Sequence, residues 1–100
     1  MDEIITELCR EITALCDPER IIQFAGKRDE YGAMRDVSLC VVLDTGDKES
    51  AEYQIYLNTD ADIAFNLLLY TPDEWESLTC DPQSYASRIV QKGTVIYERV

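Results

Sequence analysis

The chain is 100 residues long, the size of one domain, and at 46% hydrophobic composition it can bury a single core. Twenty Asp and Glu against nine Lys and Arg leave a net charge of −11, which disfavours nucleic acid and anionic membrane as partners, because affinity for either rests largely on neutralising phosphates. No apolar run approaches the roughly 20 residues needed to cross a bilayer, and the acidic start Met1-Asp2-Glu3 is unlike the basic start of a signal peptide, so a single-domain cytoplasmic protein is expected.

Ile4, Ile5, Leu8, Cys9, Ile12, Leu15 and Cys16 recur at i, i+3/i+4 spacing. This predicts an amphipathic helix over residues 2–16 whose apolar stripe faces the core. Asp2 is placed to cap its first turn, and Asp17-Pro18 ends it, since the residue before proline is pushed out of the helical region. Ile21, Ile22 and Phe24 form a short buried strand. Residues 25–35 are polar, contain Gly26 and Gly32, and read as a loop with room for one helical turn. Val37 to Leu43 is a second strand, and its near-continuous apolar run implies burial on both faces. Asp44-Thr45-Gly46-Asp47 is a turn.

Residues 48–58 support two assignments. Ala51, Tyr53, Ile55 and Leu57 alternate with polar or half-polar residues, as in a strand, whereas Asp47-Lys48-Glu49-Ser50 is a helix start. Ile63 to Tyr70 is a third strand. Thr71-Pro72-Asp73-Glu74 then opens a helix, with Thr71 as cap, Pro72 in the first turn and Glu74 closing a capping box. Trp75 and Leu78 should face the core. A further helix start falls at Asp81-Pro82, with Tyr85, Ile89 and Val90 as the apolar side and Gly93 as terminator. Val95-Ile96-Tyr97 is a last short strand. The mixed order predicts an α/β (α+β) layer in which helices pack on a small mixed sheet.

Cys9, Cys16, Cys40 and Cys80 show no CxxC spacing, and there is no histidine. We expect small buried hydrophobes in a reducing compartment, not a zinc site. The absence of His also removes the usual general base and the Cys-His and Ser-His nucleophile pairs. The acidity serves solubility or attracts a basic protein partner. Lys27-Arg28 with Arg35 is the only candidate basic patch, and a solvated loop is the plainer reading of it.

Over roughly residues 18–98 the chain resembles the minimal nucleotidyltransferase family, relatives of the polymerase-beta palm. RIIQFAG resembles that family's first strand and Gly-Ser turn, RDVSLCVVLD its Asp-x-Asp strand, FNLLLYTPDEW its third strand and following helix, and SYASRIVQKGTVIYE its last helix and closing strand. The resemblance implies a helix for residues 48–58. It also implies a site in which a Gly-Ser turn meets nucleotide phosphates and three carboxylates hold Mg²⁺. Carried onto this chain, the Gly-Ser turn falls near Ala25-Gly26, and acidic Asp29-Glu30 stand where Arg-Gly usually follows. Asp36 and Ser38 occupy the Asp-x-Asp positions and Asn66 the third carboxylate position. Asp36 is thus the candidate catalytic residue and principal metal ligand, with Ser38 and Asn66 as neutral ligands. Gly26, Lys27, Arg28 and Ser38 are the candidate nucleotide contacts. Asp62 shares a strand face with Asn66 but stands about 13 Å away at ~3.3 Å per residue, too far to replace it.

A single carboxylate should hold Mg²⁺ weakly. The first expectation is therefore a nucleotidyltransferase-fold protein that has lost catalysis and acts through protein contacts, antitoxin-like, as many minimal nucleotidyltransferases pair with small helical toxins. An exposed apolar patch at Tyr53–Tyr56 would be an independent sign. The alternative is an active Mg²⁺-dependent enzyme moving AMP from ATP to a protein or small-molecule hydroxyl. A third reading is a domain whose loop binds nothing. An exposed edge on the third strand would favour a homodimer.

Overall fold

The computed structural model describes residues 3–61 and 63–99. Their elements run α1 (Glu3–Cys16), β1 (Arg20–Arg28), β2 (Met34–Val42), α2 (Lys48–Asn58), β3 (Ala64–Tyr70), α3 (Pro72–Thr79), α4 (Tyr85–Lys92) and β4 (Thr94–Glu98). The strands form one mixed sheet in the order β3-β2-β1-β4. β1 is antiparallel to both β2 and β4, and β2 is parallel to β3. The α+β class expected from the sequence is therefore the one observed.

Strand alternation sorts the core into two layers. Val37, Leu39 and Val41 of β2 point with Leu69 and Ile21 toward α1 and α2, where Ile5, Leu8, Ile12 and Ile55 meet them. Cys40 and Val42 point the other way with Ile22, against Trp75 of α3 and Ala86 and Ile89 of α4. Both faces of β2 are thus covered along its second half, as the unbroken apolar run requires. Leu15, expected in the α1 stripe, is exposed instead.

Three local assignments differ from the sequence reading. β1 does not stop at Phe24: it continues to Arg28, and β2 begins at Met34, so residues 25–35 are mostly strand around a tight hairpin. Gly26 accordingly lies within β1, paired with Val37, and not in a turn. The turn is residues 29–33, where Asp29 accepts the amides of Tyr31 and Ala33 at 2.8 and 3.0 Å and Gly32 takes φ 85°. Charged Lys27 and Arg28 hid the strand because Ala25–Arg28 is exposed throughout and shows no apolar alternation.

The second difference is α4. It starts at Tyr85 under a Ser84 cap, not at Asp81-Pro82. Residues 81–84 form a turn in which the Ser87 hydroxyl donates to the Asp81 carbonyl at 2.6 Å. The buried side is Ala86, Ser87 and Ile89, and the expected Tyr85 and Val90 are exposed. The third difference is Cys80, which is exposed where a buried thiol was expected.

Residues 48–58 are helical. Asp47 caps them by accepting the Ser50 amide at 3.1 Å. In this helix Ala51 and Ile55 share a face at i and i+4 and reach the core, which explains an alternation that looked strand-like. A parallel β2–β3 pair also demands a long crossover between its strands, and α2 is that crossover. The Thr71–Glu74 capping box is present as read from the sequence. Asp2, the expected cap of α1, lies outside the described residues.

Candidate functional site

The sheet register decides which candidate residues meet. Ser38 is paired with Asn66 on β3 and with Ala25 on β1, and Asp36 is paired with Ala64 and Lys27. Paired positions share a face, and neighbouring strands lie about 4.8 Å apart. Asp36, Ser38, Asn66 and Lys27 therefore stand together on the α3/α4 side of the sheet, at the end of β2 that those helices leave uncovered. Asp36 and Ser38 are half-buried and Asn66 is exposed, so the cluster is a shallow open face and not a cleft. Asp62 lies outside the described residues.

The floor beneath this face is apolar. Cys40, two residues beyond Ser38 on the same side of β2, is fully buried, and burial pushes its thiol up to about 12. It stays neutral at physiological pH and adds no anionic ligand.

The donor set fits Mg²⁺ poorly. One carboxylate, one hydroxyl and one amide leave a hard dication with a single charged oxygen, and Lys27 is the cross-strand neighbour of that carboxylate on β1. Among the described residues no group of three or more His, Cys, Asp or Glu side chains is placed to hold a metal ion. Asp44 sits beyond the far end of β2, at the opposite rim of the sheet.

Gly26 has a packing reason of its own. A Cβ there would lie 2.8 Å from the Met34 side-chain methyl and 3.1 Å from the Asp36 carbonyl. Arg28 donates to the Gly32 carbonyl at 2.8 Å and so helps fasten the hairpin.

The basic side of the molecule is larger than Lys27, Arg28 and Arg35. Arg88 and Lys92 of α4 line a hollow of about 230 Å³ against Phe24 and Ala25 of β1, with Tyr85 at its mouth. Phe24 and Tyr85 meet edge to face at 6.1 Å. A second, adjoining hollow of about 520 Å³ runs along β1 and shares Phe24, Ala25 and Lys92 with the first. Sequence reading missed Arg88 and Lys92 and placed Phe24 and Tyr85 in the core. Their signal is the spacing of Tyr85, Arg88 and Lys92, which puts all three on one side of α4.

An exposed apolar set lies on α2, where Tyr53 is 62% and Leu57 63% exposed. Tyr56 stacks on Phe65 at 5.0 Å, and its hydroxyl accepts the Leu67 amide of β3 at 2.9 Å. The outer edge of β3 is thus partly guarded by the chain's own side chain.

Comparison with family models, with curated proteins and with solved structures finds no match. Among the described residues no helix is long and apolar enough to cross a membrane.

Proposed function

We propose that the chain is a protein-binding module built on a nucleotidyltransferase-like frame whose metal chemistry has shrunk to one carboxylate. The observation that carries this reading is the register itself. It sets Asp36, Ser38 and Asn66 side by side on one face, the arrangement a two-metal carboxylate site needs, while two of the three positions hold neutral side chains. An arrangement of this kind without its charge suits a frame that works through its surface. The exposed Tyr53, Tyr56 and Leu57 on α2 supply apolar contact area of the kind protein partners cover. The partner class suggested by the family resemblance is a small helical toxin-like protein.

The alternative is an enzyme that transfers AMP from ATP to a hydroxyl. Asp36 would be its principal metal ligand, helped by Ser38 and Asn66, and Lys27 or Arg28 would steady the triphosphate. It is favoured by the same register and opposed by the poor donor set.

Calorimetric titration with MgATP, beside ATP without metal, separates the two. The expected outcome is no heat at millimolar ligand in the native chain, and Mg²⁺-dependent binding in the Ser38→Asp/Asn66→Asp variant. Mg²⁺-dependent binding by the native chain that disappears in Asp36→Ala would overturn the binding-module reading in favour of the enzyme.

A further inference from the structure

The two edges of the sheet are finished differently. On β3 the Tyr56 hydroxyl occupies the Leu67 amide and α2 packs alongside. On the other side β4 pairs with β1 only from Arg20↔Glu98 to Gln23↔Thr94, while β1 runs on to Arg28. Among the described residues no strand lies beside Phe24–Arg28 on that side. The cause is local. The chain arrives at Thr94 directly from α4 through Gly93, whose Cα is so close to Ile22 that a Cβ would stand 2.5 Å from its methyl. Before Gly93 the chain is helix on the sheet face, so β4 cannot begin earlier.

The open stretch spans five residues, about 17 Å of strand at ~3.3 Å per residue. The 520 Å³ hollow lies along it. Its α1 side is mainly apolar, formed by Ile5, Met34 and Ile96 with Arg28 at the hairpin end, and its α4 side carries Phe24 and Lys92, with Arg88 close by. In a chain with 20 acidic residues, none of the described residues lining either hollow is Asp or Glu. Among the described residues the ion pairs fall elsewhere, on Arg10, Arg20, Lys48 and Arg99, so Arg88 and Lys92 have no carboxylate partner there.

We propose that the Phe24–Arg28 edge of β1 takes an added strand from an acidic partner, with apolar side chains directed to Ile5, Met34 and Ile96 and alternate carboxylates directed to Lys92 and Arg88. The backbone edge supplies main-chain hydrogen bonds, and the period of two in a strand delivers one side-chain class to each wall. A second copy of this chain fits less well, because pairing β1 with β1 would set Lys27, Arg28 and Lys92 of each copy near those of the other. The proposal names a surface and partner chemistry for the binding-module reading and rests on that reading.

The test uses the intact protein and a fluorescent peptide of alternating Val and Asp about as long as the open edge. Binding is followed by anisotropy and by backbone amide chemical shifts. The expected result is binding with shifts on Phe24–Arg28 and Lys92. Arg88→Glu/Lys92→Glu should weaken it about tenfold or more, with the amide spectrum showing that the variant is folded. A matched Val-Lys peptide should not bind. Equal binding of the Val-Lys peptide, shifts that miss β1, or no shift with either peptide at millimolar concentration would each overturn the proposal. So would inorganic triphosphate reproducing the same shifts at the same concentration, since the site would then recognise an anion and not a strand. The two failures are distinct. MgATP binding at Asp36 would overturn the binding-module reading and leave the edge untouched, whereas peptide shifts that miss β1 overturn the edge and leave that reading standing.

Discussion

Two residues show how environment sets chemistry in this chain. Cys40 and Cys80 are the same side chain in opposite settings. Cys40 sits between β1 and β3 under Trp75 and Ala86, and burial holds its thiol near 12. Cys80 caps the end of α3 in solvent. Cys9 and Cys16 are also pushed upward, chiefly by burial. Since the thiolate is the reacting species, alkylation at pH 8 should modify Cys80 first and the other three only slowly or on unfolding. Mass spectrometry of a labelling time course should show one fast addition, absent in Cys80→Ser; two or more fast additions would contradict the burial pattern. Glu74 offers a pH test. It accepts the Thr71 amide at 2.9 Å and the Lys48 ammonium at 2.9 Å, and the backbone hydrogen bond first, then Lys48, lowers its pKa. A lowered folded value means stabilisation that is complete above the unfolded value of about 4.3 and lost as pH falls through the folded one. Glu74→Gln keeps a neutral cap, so its stability deficit in urea should be constant near neutrality and shrink below about pH 4. With both partners about two-fifths exposed, the deficit should stay below ~1 kcal/mol.

At the scale of elements, the corner between α4 and β4 controls the open edge. Gly93 has φ −85°, so it is not there for left-handed backbone. It is there because a Cβ would meet the Ile22 methyl at 2.5 Å and the Ile89 carbonyl at 2.6 Å. A side-chain methyl can yield, but the carbonyl belongs to the last turn of α4 and cannot move without opening it. Gly93→Ala should therefore cost about 1–3 kcal/mol in thermal or urea unfolding, and a neutral effect would show that α4 and β1 are less tightly joined than described. Helix and strand signals differ from element to element. Thr71 and Glu74 act within one turn, so α3 was legible from four consecutive residues. Ala51 and Ile55 of α2 looked like half a strand because the sequence does not say which pairs of residues share a neighbour. The β1 extension was hidden for a related reason: Ala25 to Arg28 are held in the ladder by β2, not by their own preferences.

At the scale of the molecule, an acidic chain keeps part of its positive charge in one place. Arg28 on β1 and Arg88 and Lys92 on α4 come from segments about 60 residues apart in sequence and line adjoining hollows only because α4 packs on β1. The Asp36, Ser38 and Asn66 cluster is likewise made by β2 lying parallel to β3. The sequence by itself determined the class of fold, the caps of α3, the buried character of β2 and the neutral chemistry at positions 38 and 66, because these depend on residue type and short spacing. Only the tertiary structure decided that residues 48–58 are helical, that Gly26 sits in a strand, that one sheet edge is guarded by Tyr56 and that the other is left open beside Lys92. Those outcomes depend on strand register and on where a helix meets the sheet, and both are fixed by contacts between residues far apart in the chain.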